Sequence, residues 1–335
     1  MSEEQLLAEA RRGDEAAFER LVERHRGELY AHCYRMLGSV QDAEDAVQES
    51  LLAAWRGLPG FEGRSALRTW LYRVATHCCL RLAARRPRRM LSPDHGPACS
   101  DPGDLGEPVP GPVWLEPWPD DLPAGEELDP ASAYLRRESV QLAFVAALQH
   151  LPGTQRAVLL LRDVLGFPAA EVADVLDTTP ASVNSAMQRA RAAVRERVPR
   201  SQQAELAALG EDDRRALVDA FLAAWERADV PALLDLLTED ARFTMPPLPA
   251  WFDGRENVGR FLAERMFARP WRLLPIGANA QPALACYQLD GDRFRLGAVC
   301  VLSLRDGRVS WMAGFIDPGL HRHLPVPPEL VLQDR

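Results

Sequence analysis

Apolar positions recur at helical spacing from the start of the chain. Leu6, Leu7 and Ala10 are followed by Phe18, Leu21, Val22 and His25 on one face, and Leu29, Tyr30, Met36 and Leu37 continue it. The stretch Gly38–Trp55 crowds Asp42, Glu44 and Asp45 into a first turn, where the helix dipole favours negative charge. Ala43, Val47, Leu51 and Ala54 then form one apolar stripe. Helical periodicity resumes after residue 136, and Gly166-Phe167 breaks a long apolar helix. Ala169–Leu176 reads as a short amphipathic helix burying Val172, Ala173 and Leu176, and Asp177-Thr178-Thr179 reads as a turn. Pro180 opens the next helix with Thr179 as its cap. Two helices joined by a short turn, the second ending basic, make a helix-turn-helix.

From residue 212 the pattern changes. Helices are expected at Asp212–Arg227, Val230–Leu237 and Arg255–Phe267. Strands are expected at 240–245, Arg272–Ala278, Ala283–Leu289, Phe294–Leu304 and Arg308–Phe315, with Asp306-Gly307 a hairpin turn. Helices followed by an antiparallel curved sheet predict an α+β cone. The fold class is therefore multidomain: two all-α domains and a C-terminal α+β domain.

Composition sharpens the boundaries. A chain of 335 residues suits two or three domains of about 100–150 residues each. The net charge of −9 argues against nucleic acid only as a single number. From Arg64 to Arg89 there are eight arginines and no acidic residue; from Met90 to Leu135 there are ten acidic residues, ten prolines and no arginine. The second stretch cannot form a packed core, so it is expected to be an extended or disordered linker. The expected division is 1–90, a linker over 91–135, a helical domain over 136–198, and the α+β domain over 212–320. All 39 basic residues are arginine, which a GC-rich genome would produce. No apolar run approaches the roughly 20 residues of a membrane span. The acidic N-terminus is unlike a signal peptide, and six cysteines show no disulfide spacing, so a cytoplasmic protein with no membrane partner is expected.

The basic block interleaves Phe61, Trp70 and Tyr72 with its arginines. Arginines can track phosphates while aromatics stack unpaired bases; the same residues would also serve as a core with a solvated arginine face. The strings DAEDAVQESLLAAWRGL and FEGRSALRTWLYRVATH, in this order, resemble region two of the extracytoplasmic-function sigma factors of the sigma-70 family. The resemblance implies that the first helix grips the clamp helices of the RNA polymerase β′ subunit, through Asp42, Asp45, Gln48, Glu49 and Trp55. It implies that the second opens and reads the minus-ten element, through Arg64, Arg68, Trp70, Arg73, His77 and Arg81. His77 and Arg81 stand where relatives commonly carry Asn and Asp, which puts minus-ten preference in question and strengthens backbone attraction.

LPGTQRAVLLLRDVLGFPAAEVADVL and the helix after it resemble region four of the same family, which reads the minus-thirty-five element. Ser182, Asn184, Ser185, Gln188, Arg189 and Arg191 are the candidate DNA contacts, with amide-to-base pairing expected and Arg191 positioning the helix on the backbone. Relatives often carry basic residues where Asn184 and Ala186 stand. The resemblance implies core RNA polymerase (β′ clamp helices and β flap) and promoter DNA as partners. Trp114 and Trp118 are unusual in an acidic linker. They would form an incidental local turn, thread the polymerase RNA path with the linker as the resemblance implies, or dock on the C-terminal domain.

DAFLAAWERADVPALLDLLTEDARFTMPPLP, PALACYQLDGD and RVSWMAGFIDP resemble SnoaL-like polyketide-cyclase domains, whose curled sheet surrounds a pocket. Trp225, Phe243, Met245, Trp251, Phe252, Tyr287, Trp311 and Phe315 are candidates to line it, or simply core. Asp240, Asp253, Asp317, His321 and His323 offer no pair whose spacing demands a shared site, so no catalytic residue is assigned. No metal cluster or cofactor is expected, and an unknown small ligand for the pocket stays open. The expected function is a sigma factor modulated by its C-terminal domain. The alternatives are a helix-turn-helix regulator that is not a sigma factor, and a cyclase-, isomerase- or hydrolase-like enzyme using the C-terminal pocket.

Overall fold

The computed structural model describes residues 2–111, 113–120, 137–198, 200–321 and 323–331. Residues 121–135 of the expected linker lie outside them. The described residues form two units, one of 2–89 with 137–198, the other of 90–120 with 200–331.

The first unit is helical. Helix α1 (Glu3–Arg11) starts from a capping box in which Ser2 and Gln5 satisfy each other's backbone N–H groups. Asp14 caps α2 (Glu15–Leu37) and Ser39 caps α3 (Val40–Gly57). Gly38 adopts φ +72 between them, a left-handed turn that glycine enters without the Cβ penalty. Helix α4 (Leu67–Arg85) packs against α2 and α3 through Leu71, Tyr72, Ala75, Cys78 and Cys79. Within this core the His32 ring nitrogen Nε2 lies 3.0 Å from Thr76 Oγ1. Burial pushes the His32 imidazole down to about 3, and the charge of Arg35 adds to the push. An unfolded histidine titrates near 6.5, so this contribution to stability is complete above about pH 6.5 and is lost as pH falls toward 3. Denaturation at stepped pH should show stability falling by up to about 1.4 kcal/mol per pH unit below about pH 6 from this group. A His32→Asn variant should lose that part of the slope; an unchanged slope would contradict the assignment.

Helix α5 (Ser92–His95) belongs to the second unit. The first unit resumes with α6 (Leu142–Gln149) and α7 (Gly153–Leu159). A π-turn at Leu160–Val164 extends α7, and Gly166 at φ +73 ends it, as the Gly-Phe break predicts. Helices α8 (Ala169–Val175) and α9 (Pro180–Arg197) are the expected helix-turn-helix, with Thr179 Oγ1 accepting from Ser182 N at 3.2 Å. Buried Arg156 fastens α7 to α2: Nη1 donates to Met36 O and Gln149 Oε1, and Nη2 to Gln149 O and Leu151 O.

In the second unit, α10 (Gln202–Leu209), α11 (Glu211–Glu226), α12 (Val230–Asp235) and α13 (Arg255–Glu264) accompany a seven-stranded sheet. Its strands are β1 (Leu237–Thr244), β2 (Trp251–Asp253), β3 (Trp271–Ala278), β4 (Gln281–Asp290), β5 (Arg293–Arg305), β6 (Arg308–Phe315) and β7 (Glu329–Val331), in the order β2-β1-β6-β5-β4-β3 with β7 on β5. The sheet is mixed rather than antiparallel: β1 runs parallel to β6, pairing Phe243 with Met312. The chain makes this pairing by a long crossover, which hairpin signals cannot reveal. Strands β2 and β7 escaped the sequence reading because three residues are too few to show a period. Helix α13 stops at Glu264, short of the expected Phe267, and a separate turn follows at Met266–Ala268.

One apolar core joins Phe221 and Trp225 of α11 to Phe243, Phe252, Phe261 and Trp271. Phe252 and Phe261 stack at 4.4 Å between centroids. Residues 90–120 lie against this domain and are not a free tether. Cys99 N donates to Trp251 O at 2.7 Å, Trp251 Nε1 to Gly96 O at 2.9 Å, Ser92 Oγ to Leu248 O at 3.1 Å and Val109 N to Pro247 O at 3.0 Å. Trp118, 1% exposed, donates its N–H to Asn279 Oδ1 at 3.0 Å, and Asn279 N donates to Trp118 O at 2.7 Å. Asp120 Oδ1 accepts from Ala280 N at 2.8 Å. The approach is close enough that a Cβ on Gly277 would collide with the Asp120 carboxylate. Over 90–120 the segment is thus ordered against the C-terminal domain, where proline density and acidity predict an extended or disordered linker; that domain supplies the packing the segment cannot make by itself.

Candidate nucleic-acid and polymerase interface

Helix α3 buries Ala43, Ala46, Val47, Ser50 and Ala54. That leaves Asp45, Gln48 and Glu49 exposed on the opposite face. Asp42 departs from the expected surface. It is buried at 4% exposure and paired with both Arg86 and Arg89, so it closes the basic segment after α4 onto α3. Trp55 is half-buried with its ring 5.1 Å from Phe18. Leu52, 57% exposed, lies four residues beyond Gln48 on the same face and was absent from the sequence-level set. Its signal was available: it falls outside the apolar stripe, where a leucine has no core to fill.

Helix α4 carries the basic candidates. Arg64 precedes it, exposed and paired with Glu62 at 2.9 Å. Arg68 instead turns into the unit. It pairs with Glu28 at 3.0 Å and lies over the Tyr72 and Phe167 rings at 5.0 and 5.1 Å. Burial pushes the Glu28 carboxyl up, but the hydrogen bond with His25 and the charge and hydrogen bonds of Arg68 outweigh it and hold the carboxyl below its ordinary value. Trp70 packs on Phe61 at 5.1 Å and against Gly57. Arg81 is exposed and pairs with Glu49 at 2.8 Å, joining the two candidate surfaces.

Arg73 and His77 meet the helix-turn-helix. Arg73 donates to Asp174 O at 2.9 Å and to Asp177 Oδ1 at 2.6 Å, and His77 Nε2 lies 2.8 Å from Val175 O. One turn earlier, Thr69 Oγ1 donates to Glu171 Oε2 at 3.2 Å. Asp177 adopts φ +50, an uncommon conformation for a residue with a Cβ. Helix α8 and its following turn therefore cover one flank of α4. The sequence shows Asp177 only as part of a turn and does not single out Glu171, because the pairing joins segments about 100 residues apart, beyond any local pattern.

On α9, Val183, Ala186, Met187 and Ala190 are buried, and Ser182, Asn184, Ser185, Gln188, Arg189 and Arg191 are all exposed. Ala186 thus faces the core, so only Asn184 of the two unusual positions points outward. Arg191 makes a two-pronged pair with Asp163 at 2.6 and 2.9 Å.

The aromatic candidates of the C-terminal domain separate. Trp225, Phe243, Met245 and Phe252 share the main core. Tyr287 lies in a second cluster with Ala285 and Phe294, and its hydroxyl donates to Pro327 O at 2.9 Å. Alternation along β4 causes this, since Leu284 and Cys286 face the first cluster. Trp311 is half-buried and donates Nε1–H to Thr244 Oγ1 at 3.1 Å; Trp251 faces the 90–120 segment; Phe315 is fully buried. The three aspartates are already engaged: Asp240 with Arg305, Asp253 with Arg242 at 3.3 Å, and Asp317 with the backbone N–H of Gly319 at 2.8 Å. The side chain of His321 lies outside the described residues. Among the described residues no group of three or more His, Cys, Asp or Glu could hold a metal ion, and no helix is long and apolar enough to cross a membrane.

A basic helix pinned beneath a helix-turn-helix, followed by an α+β cone, defines a multidomain DNA-reading protein with an accessory domain. Family models match in the same order: sigma-70 region 2 over residues 21–89, sigma-70 region 4 over 141–194, and a SnoaL-like domain over 218–312. The ECF RNA polymerase sigma factor SigG of Mycobacterium tuberculosis is 43% identical over 329 residues, covering 96% of this chain and 86% of SigG. The RNA polymerase sigma-H factor of Pseudomonas aeruginosa is 30% identical over 57% of this chain and 91% of its own length. The crystal structure of the Mycobacterium tuberculosis extracytoplasmic-function sigma factor SigJ shares the fold over 92% of this chain and 99% of its own, with TM-score 0.61 at 23% identity. The chain belongs to the extracytoplasmic-function sigma factors of RNA polymerase. It is a transcription-initiation factor whose partners are core RNA polymerase and promoter DNA.

Proposed function

We propose that this sigma factor presents Asp45, Gln48, Glu49 and Leu52 of α3 to the polymerase clamp, reads the minus-ten element with α4 and the minus-thirty-five element with α9, and is modulated by its C-terminal domain. The expected domain limits, 1–90, 91–135, 136–198 and 212–320, belong to this reading. The observation that carries it is the cover over α4. Arg73 and His77 are spent on Asp174, Val175 and Asp177, so promoter reading requires α8 to leave. The described chain is then a closed form, and polymerase binding would supply the free energy of opening. The exposed ion pair of Arg73 with Asp177 is a weak restraint, worth about 0.2–1 kcal/mol, which suits a contact that must break.

The C-terminal domain acts as a regulatory rather than a catalytic module in this reading. Arg305, through its hydrogen bond, holds the Asp240 carboxyl below its usual range, so it is a poor proton donor. Asp253 and Asp317 are engaged elsewhere. The site of action is the cytoplasm, where polymerase and promoters meet.

Run-off transcription with bacterial core polymerase tests the reading. Promoter-specific transcripts should depend on the added full chain. The double change Glu171→Ala with Asp177→Ala should raise initiation several-fold at limiting factor. Transcripts independent of the chain would sink the sigma mechanism, and an unchanged rate in the double variant would sink the closed form.

A further inference from the structure

A cavity of about 450 Å³ opens in the helical unit, apart from the exposed face of α9. Its walls come from the C-terminal end of α4 with residues 86–89, and from the turn joining α6 to α7. Arg86, Arg88, Arg89 and Arg156 line it against a single carboxylate, Asp42, among the described residues. Asp42 is committed to Arg86 and Arg89.

Among the described residues, neither Arg88 nor Arg156 has a carboxylate partner. Arg156 is 6% exposed, and its four hydrogen bonds go to neutral oxygens of Met36, Gln149 and Leu151. Its Nε is buried with no hydrogen-bond partner among the described residues. Burial pushes this guanidinium down to about 10, and the charge of Arg88 works in the same direction against the opposing influence of Cys79. Arg88 Nη1, in the lining, and Arg197 Nη2, just outside it, approach the same His150 nitrogen, at 3.2 and 3.3 Å. Two guanidiniums converging on one imidazole beside a buried arginine concentrate positive charge where water is partly excluded. Several forked donors around an open volume match the oxygens of a phosphate group. Leu80, Ala83 and Leu151 add apolar wall that inorganic phosphate alone would not need.

We propose that this cavity binds a phosphate-class polyanion, either free pyrophosphate or the polyphosphate of a nucleotide. Bound there, the anion would bridge the segment after α4 and the α6–α7 turn, joining the minus-ten module to the minus-thirty-five module.

Calorimetric titration of the full chain with pyrophosphate, ATP and adenosine, at fixed ionic strength, tests this. Pyrophosphate and ATP should each saturate one site per chain and raise the melting temperature of the helical unit. Arg88→Glu, an exposed change that spares the buried arginine, should weaken binding by about tenfold or more. Arg20→Glu, exposed on α2, should leave it unchanged. Equal affinity for the two anions assigns free pyrophosphate as ligand, and tighter ATP binding assigns a nucleotide. No saturable binding of either anion overturns the proposal. So does binding that Arg88→Glu leaves intact, or adenosine binding as tightly as ATP.

Discussion

Asp42→Ala is expected to cost the helical unit about 3 kcal/mol, and Asp45→Ala or Gln48→Ala less than about 0.5 kcal/mol. The three residues lie on one helix, and the sequence resemblance assigns all of them to one surface. Packing divides them. The Asp42 carboxylate sits between Arg86 and Arg89 at 4% exposure, and Arg89 is itself 6% exposed. Removing it leaves two guanidiniums facing each other with one fewer counter-charge, part of it away from water. Asp45 touches Arg86 only at 3.7 Å and is otherwise in solvent, and Gln48 is exposed. Equilibrium denaturation should separate the variants in stability. A binding titration against core polymerase should separate them in the other order, with Asp45→Ala and Gln48→Ala weakening the complex while the fold stays intact. If Asp42→Ala were as stable as the parent, the buried triad would carry no energetic weight.

The second large effect is expected at Trp118. Trp118→Ala should destabilise the C-terminal unit by about 3–5 kcal/mol, the range for removing a fully buried aromatic side chain. The indole is buried at 1% exposure, while the backbone pairing with Asn279 survives truncation. The loss should therefore appear as a cavity and a loosened segment, not as a broken turn. Because the chain has two units, one global midpoint would mix two transitions. Amide hydrogen exchange resolves them: protection should fall at residues 114–120 and along β3 and β4, and stay unchanged in α2 and α4. Uniform loss of protection throughout the chain, or none, would contradict the docking. Transcription by the same variant then reads whether that docking restrains or supports the factor.

Much of this protein was legible in its sequence because the signals are local. Helical periodicity, the Thr179-Pro180 start, the Gly166 break and the Asp306-Gly307 hairpin depend on neighbours within a few residues, and the structure places elements at all of them. The exposed face of α9 follows from the same arithmetic, since burying Val183, Met187 and Ala190 leaves Asn184, Ser185, Gln188 and Arg189 outside. The order of the two sigma regions and the SnoaL-like domain was legible as well, through extended strings of residues.

Tertiary structure decided what depends on partners distant in sequence. It set β1 parallel to β6, placed Tyr287 apart from the main aromatic core, and gave residues 90–120 a domain to pack on. It also turned Asp42 and Arg68 inward and spent Arg73 and His77 on the turn after α8. The physical reason is common to all four side chains. A charged group goes wherever a counter-charge or hydrogen-bond partner offsets its desolvation, and for this chain those partners arrive from 40 to about 100 residues away.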